Sequence, residues 1–277
     1  MRGASTGGIS GTGGQAKQDL AELQRKRLRS TIAWAREIRT TLGQLMEAHG
    51  ERVHFRASAG GITMVGLLPE RPQRGVRISN AAELAERFEA EFGQHCRDIA
   101  GGRITGENAL RSYLIRTAHQ HEQCLAPLNA ATQLTNAPAE LTFITDGLSL
   151  PFSGGKTEGD LLALRRDAGR CTPVLLQLKD NRHLNRLLPQ VENFAPLIDQ
   201  HAELFAELFG AVLEEDIAFD APAEKWIVWP AVAFQPDRQT EKLRERGIRT
   251  VCYTETNGSY EFACADSVRW DDQFQPF

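Results

Sequence analysis

The chain has 277 residues, 41% apolar and 25% charged, with a formal net charge of −4. That length holds one large or two modest domains, and the composition is that of an ordinary globular protein. No apolar run approaches the roughly 18 residues of a membrane-spanning helix, and the net charge does not advertise nucleic-acid binding.

Residues 1–16 read as a flexible Gly/Ser-rich tail without the apolar core of a signal peptide. From 17 to 48, Leu20, Leu23, Leu28, Ile32, Ile38 and Leu42 recur at helical spacing. "RVHFRA" and "ITMVGLL" flank the turn-like "SAGG" as a hairpin. "SNAAELAERFEAEF" opens a helix through a capping box of Asn80 and Glu83. Residues 17–100 thus form an N-terminal α+β region, and "GGRITG" at 101–106 is a flexible joint.

A helix is expected from about Glu107 to Leu125, then a loop over 126–139. Strand-like runs follow at 140–150, 159–165 and 172–179. Residues 182–213 read as helix interrupted at Pro189 and Pro196, 225–234 as a strand, and 238–247 as a short helix. Asn257-Gly258 joins the last two strands as a type I′ turn. The order from 107 is helix, strand, strand, strand, helix, strand, which predicts a mixed sheet with helices on both faces.

Charge is unevenly spread. Residues 17–56 hold nine Lys/Arg against five Asp/Glu, and 165–186 hold six against two. Residues 192–224 hold nine acids and no Lys or Arg. Cys96, Cys124, Cys171, Cys252 and Cys264 are scattered without metal-ligand spacing, so a reducing cytoplasm and no structural zinc are expected. His119 and His121 point about 200° apart on a helix and would not share a metal.

Two readings compete at "SGGKTEGDLLAL", residues 153–164. Gly155-Lys156-Thr157 matches the end of a phosphate-binding P-loop, but Leu150 stands where its first Gly belongs and a strand follows instead of a helix. The other reading starts from Asp160. "GDLLALRRDAGRCTPVLLQLK" reads as a hairpin, and a two- or four-residue loop pairs residues whose numbers sum to 337. Asp160 then faces Gln177, with Lys179 on the same face. A three-residue loop would send Gln177 to the other face. An acid, an amide oxygen and an amine at one strand end suit Mg²⁺-assisted phosphodiester hydrolysis.

Over roughly 107–234 the chain resembles the PD-(D/E)XK nuclease superfamily. The core order matches, and the signature residues correspond to Asp160 and Gln177-Leu178-Lys179. Glu107 matches the family's helix acid, with Glu122 as runner-up. Gln190 and Phe194 are similar to its Q-x-x-x-Y pattern. Gly159 stands where Pro is usual, Gln177 replaces an acid, and Phe194 replaces Tyr. The resemblance implies an α/β, restriction-endonuclease-like core. It implies a cytoplasmic nuclease using Mg²⁺ or Mn²⁺ on nucleic acid, DNA before RNA. Asp160, Gln177 and Glu107 would hold the metal, Lys179 would assist the attacking water, and Gln190 would position the site. Arg182, His183 and Arg186 would contact phosphates. The N-terminal region would recognise substrate, a protein partner or a second copy of the chain, with no membrane involved. The replacement at Gln177 favours the alternative, an inactive nuclease-fold protein that binds nucleic acid or scaffolds a complex.

Overall fold

The structure, a computed structural model, describes residues 12–67, 76–78, 80–98, 106–132, 140–153, 155–232 and 237–265. The helical periodicity of the N-terminus becomes α1 (Thr12–His49), which therefore begins inside the segment read as a tail. Leu28, Ile32, Ala35, Ile38 and Leu42 are buried along one stripe of it, whereas Leu23 is exposed. The hairpin is β1 (Val53–Ser58) and β2 (Gly61–Gly66), extended by the three-residue β3 (Val76–Ile78). Next comes α2 (Ala81–Asp98), whose Glu83 amide donates to the Asn80 side chain at 3.2 Å, one half of the expected capping box. The joint read at 101–106 lies, apart from Gly106, outside the described residues.

From Glu107 the chain forms α3 (Glu107–Gln120), α4 (Ala126–Thr132), β4 (Glu140–Phe152), β5 (Gly155–Asp167), β6 (Arg170–Leu178), α5 (Leu184–Gln200), α6 (Ala202–Leu213), β7 (Glu224–Pro230), α7 (Arg238–Glu245), β8 (Ile248–Thr256) and β9 (Ser259–Cys264). The expected loop at 126–132 is helix α4. Its second residue is Pro127, a position where the missing N–H would go unpaired anyway. Pro189 and Pro196 lie inside α5 without ending it. The helix breaks instead at His201. One proline in a helix costs about 3 kcal/mol, and burial of Leu187, Val191, Phe194, Ala195, Leu197 and Ile198 along one face outweighs that.

Strands run β4-β5-β6-β7-β8-β9 across one mixed sheet. The pairs β4–β5, β5–β6 and β8–β9 are antiparallel, and β6–β7 and β7–β8 are parallel. The parallel step needs a crossover, which α5 and α6 supply. Side chains alternate between two apolar layers. Leu162, Leu164, Leu175, Ile227 and Trp229 face α1, α2, α5 and α6. Leu161, Ala163, Val174, Leu176, Leu178, Trp226 and Val228 face α3 and α4. Both tryptophans are core residues.

The N-terminal region shares the first layer. Gln24 on α1 donates to the Pro151 carbonyl at 2.8 Å and lies 2.9 Å from His201 Nε2, tying α1 to β4 and to the α5–α6 corner. The acidic 192–224 segment finds its partners here. Glu207 and Glu214 pair with Arg36 and Arg39 of α1, Glu215 with Arg166, and Glu192 with Arg246. Cys124, Cys171, Cys252 and Cys264 are free thiols. No helix among the described residues is long and apolar enough to cross a membrane.

Candidate active site

The β5–β6 turn decides the site. Residues pair from Leu161↔Leu176 to Asp167↔Arg170, closing on a two-residue turn with φ of 49° at Ala168 and 80° at Gly169. The sum of 337 therefore holds. One step further the pairing sets Asp160 against Gln177, and side chains replace the backbone ladder. The Asp160 N–H donates to Gln177 Oε1 at 3.0 Å, and the Leu178 N–H donates to Asp160 Oδ2 at 2.9 Å. Gln177 Nε2 donates to the Glu158 carbonyl at 3.3 Å and to Gln190 Oε1 on α5 at 3.4 Å. Each of these buried groups is thus held by a partner on a neighbouring element.

Lys179 leaves the end of β6 with its N–H on the Val228 carbonyl. Its Nζ lies 2.8 Å from Glu107 Oε2 and 3.4 Å from Asp160 Oδ2. Glu107 occupies the first turn of α3, where the helix N-terminus favours a carboxylate. One turn on, Arg111 Nη2 bridges Glu107 Oε1 at 3.0 Å and Asp160 Oδ1 at 2.5 Å. Arg111 escaped the sequence reading. Its only signal was the i,i+4 spacing from Glu107 that favours an ion pair. Burial and the Asp160 carboxylate push the Glu107 carboxyl above its ordinary range, against the pull of Lys179 and Arg111.

The cluster therefore sets two carboxylates against two cations where strands β5 and β6 meet the start of α3. Among the described residues no three His, Cys, Asp or Glu side chains gather as a metal cage. Mg²⁺ does not need one, since it is commonly held by one or two carboxylates and retains several waters. Asp160 and Glu107, bridged by the same two cations, fit that donor set. Gln177 fits it less well as a ligand, because its Oε1 already accepts from the Asp160 amide.

The structure thus brings together Asp160, Gln177, Lys179, Glu107 and Gln190. Glu122 is exposed in the turn at the opposite end of α3. Arg182 turns inward. Its guanidinium stacks 3.9 Å from the Trp229 ring centroid and pairs with Asp237, so its charge is balanced within the fold. His183 is exposed where α5 begins, and the side chain of Arg186 lies outside the described residues.

Gly159 has a packing reason. A Cβ there would lie 2.9 Å from Leu175 Cδ1 and 3.2 Å from Phe194 Cε1. Phe194 is fully buried over this point. Gly159→Ala is expected to cost roughly 1–3 kcal/mol through overpacking, measured by urea denaturation. An unchanged midpoint would contradict this packing.

A second buried network joins the N-terminal hairpin to the sheet. Asp146 on β4 is fully buried and chelated by Arg56 of β1 through Nε at 2.7 Å and through Nη2. His54 Nε2 lies 3.2 Å from Asp146 Oδ1, and His54 Nδ1 lies 3.1 Å from His119 Nε2. His119 Nδ1 in turn lies 3.2 Å from Gln123 Nε2. Burial alone would raise the Asp146 carboxyl; Arg56 and His54 outweigh it and hold it well below the usual range. Burial, then the neighbouring His54, hold His119 down at about 3.

Below pH ~6.5 an unfolded histidine takes up a proton that native His119 refuses, so stability present above that pH is lost as pH falls. Unfolding free energies from urea titrations at pH 7 and pH 5 are expected to differ by about 2 kcal/mol from this group alone, and His119→Gln should flatten the difference. An equally steep acid limb in the variant would refute the assignment.

Comparison of the chain with family models, with curated proteins and with solved structures gives no match.

Proposed function

We propose that the chain is a Mg²⁺-dependent phosphodiester hydrolase acting on nucleic acid, DNA before RNA, with a restriction-endonuclease-like core of the PD-(D/E)XK type. The observation that carries the reading is the convergence of Glu107, Asp160, Gln177, Lys179 and Gln190 from four stretches of chain. The element order also supports it, with α3, β4, β5, β6, α5 and β7 in sequence and with α4 and α6 as additions.

Asp160 and Glu107 would hold the cation. A bound Mg²⁺ would supply a polarised water and screen charge developing at phosphorus. Lys179 places an ammonium at the same edge, where it orients the attacking water and steadies negative charge on the phosphoryl oxygens. Gln177 works through Asp160: its amide grips the Asp160 backbone while Leu178 holds the carboxylate, so the ligand meets its cation in a fixed orientation. Gln190 holds the far end of that amide.

The alternative, an inactive nuclease fold that binds nucleic acid or scaffolds a complex, is favoured by one observation. Arg111 already bridges both carboxylates, so the acid pair is charge-balanced without a metal. Incubating the purified protein with DNA and RNA oligonucleotides in Mg²⁺, Mn²⁺ or EDTA separates the two. Metal-dependent product supports the hydrolase. Binding without product under every metal condition would replace it with the scaffold.

A further inference from the structure

The N-terminal region, expected to recognise substrate or a partner, places one cation of its hairpin near the acid cluster. Arg56 crosses from β1 to β4, where Asp146 holds Nε and Nη2. Its Nη1 makes no hydrogen bond among the described residues, and the side chain is 20% exposed. The backbone of β4 yields to it. Gly147 has φ of 58°, and a Cβ there would lie 2.9 Å from Arg56 Cζ and 3.0 Å from Nη1. The β4–β5 register runs through Asp146↔Leu161 and Leu148↔Gly159, which sets Gly147 across from Asp160. The guanidinium therefore lies over the residue that neighbours the central carboxylate of the site, and it feels the charges of both Glu158 and Asp160.

Such an arrangement exceeds what a structural ion pair needs. A bidentate Arg–Asp pair satisfies itself with two nitrogens, and a surface location would serve equally well. Here the acid is fully buried, the histidine pair behind it fixes the carboxylate, and a glycine in the left-handed region clears space for the third nitrogen. The result is a rigid, partly exposed cation with one unpaired donor on the strand next to Asp160. A guanidinium held this way is pre-organised for a phosphate oxygen.

We propose that Arg56 is a phosphate-binding residue of the site, contacting the nucleic-acid backbone next to the bond held at Asp160, so that the N-terminal hairpin completes the substrate cleft. This rests on the nuclease reading above. Asp146 acts as a positioning residue through Arg56.

The test is equilibrium binding of a fluorescein-labelled DNA duplex in EDTA, with the full chain, across a salt series. Each phosphate contact contributes about 0.9 to the slope of log K against log salt. The double variant Arg56→Met/Asp146→Asn removes the guanidinium without stranding a buried carboxylate. It is expected to remain folded by thermal melting, to bind roughly 5–10-fold more weakly at about 0.1 M salt, and to lose about one unit of salt slope. Arg56→Lys provides an independent readout: its ammonium remains drawn to Asp146 and offers no second nitrogen, so the same loss of slope is expected. A purely structural Arg56 would change the melting temperature and leave the slope of the folded protein intact, and that result overturns the proposal. If wild type cleaves DNA and binds it with an unchanged slope in both variants, only the Arg56 role fails. If wild type neither binds nor cleaves DNA or RNA, the nuclease reading falls and this role with it.

Discussion

Asp160→Asn is expected to lower the cleavage rate by roughly 10³-fold or more while leaving the protein folded. A metal ligand at the reacting phosphate supplies several kcal/mol of transition-state stabilisation, and each ~1.4 kcal/mol is a factor of ten. Asparagine keeps the shape of the side chain and can still accept from the Leu178 N–H, now 2.9 Å from Asp160 Oδ2. It loses the charge that answers Arg111 and Lys179. Asp160→Ala should be worse in a distinguishable way. It leaves the buried Leu178 N–H without an acceptor, at roughly 1–3 kcal/mol, and it strands Arg111 on Glu107 alone. Cleavage rate and thermal midpoint, measured on both variants, separate chemistry from folding. An Asp160→Asn protein that cleaves like wild type would remove Asp160 from the reaction.

The largest stability effect is expected at Asp146, away from the reacting atoms. Asp146→Ala should cost roughly 3–5 kcal/mol, because it leaves a largely buried guanidinium without its counter-charge. That is a large share of the roughly 5–15 kcal/mol that holds a typical domain together. Arg56→Met/Asp146→Asn should recover much of the loss, since removing both charges is far cheaper than removing one. The contrast with the surface is the control. Arg36 and Glu207 are paired at 2.8 Å but both are substantially exposed, so Glu207→Ala should cost less than about 1 kcal/mol. Equilibrium urea unfolding of the three variants and the wild type gives the comparison. Equal costs at Asp146 and Glu207 would show that Asp146 is not buried against Arg56 as described.

The parts of this architecture that could be read from the sequence are those written into local chemistry. "RDAGR" carries the turn that sets the β5–β6 register, and with it the pairing of Asp160 and Gln177. Asn257-Gly258 adopts φ of 53° and 80°, the two positive values that its turn type demands. The apolar stripe of α1 followed from spacing alone. Interactions between distant segments could not be read this way. Arg111 looks like any basic helix residue until Asp160, 49 residues later, is known to meet it. Arg56 and Asp146 are 90 residues apart on strands of different sheets, and neither belongs to a motif. Arg182, read as a phosphate contact, is held by Trp229 and Asp237, which lie well downstream. Proline also misleads when read locally, because Pro189 and Pro196 break a helix only if its packed face is too weak to hold it. The pairing of the acidic 192–224 segment could not be read locally either, because the arginines that answer several of its acids lie on other elements.

The most direct measurement is single-turnover cleavage of an end-labelled DNA duplex by purified protein in Mg²⁺, with wild type, Asp160→Asn and Lys179→Ala run side by side. Product that requires Mg²⁺, disappears in EDTA and falls at least about a hundredfold in each variant is the result expected of a hydrolytic site built on Asp160 and Lys179. Product formed equally by all three proteins, or by none of them, would contradict it.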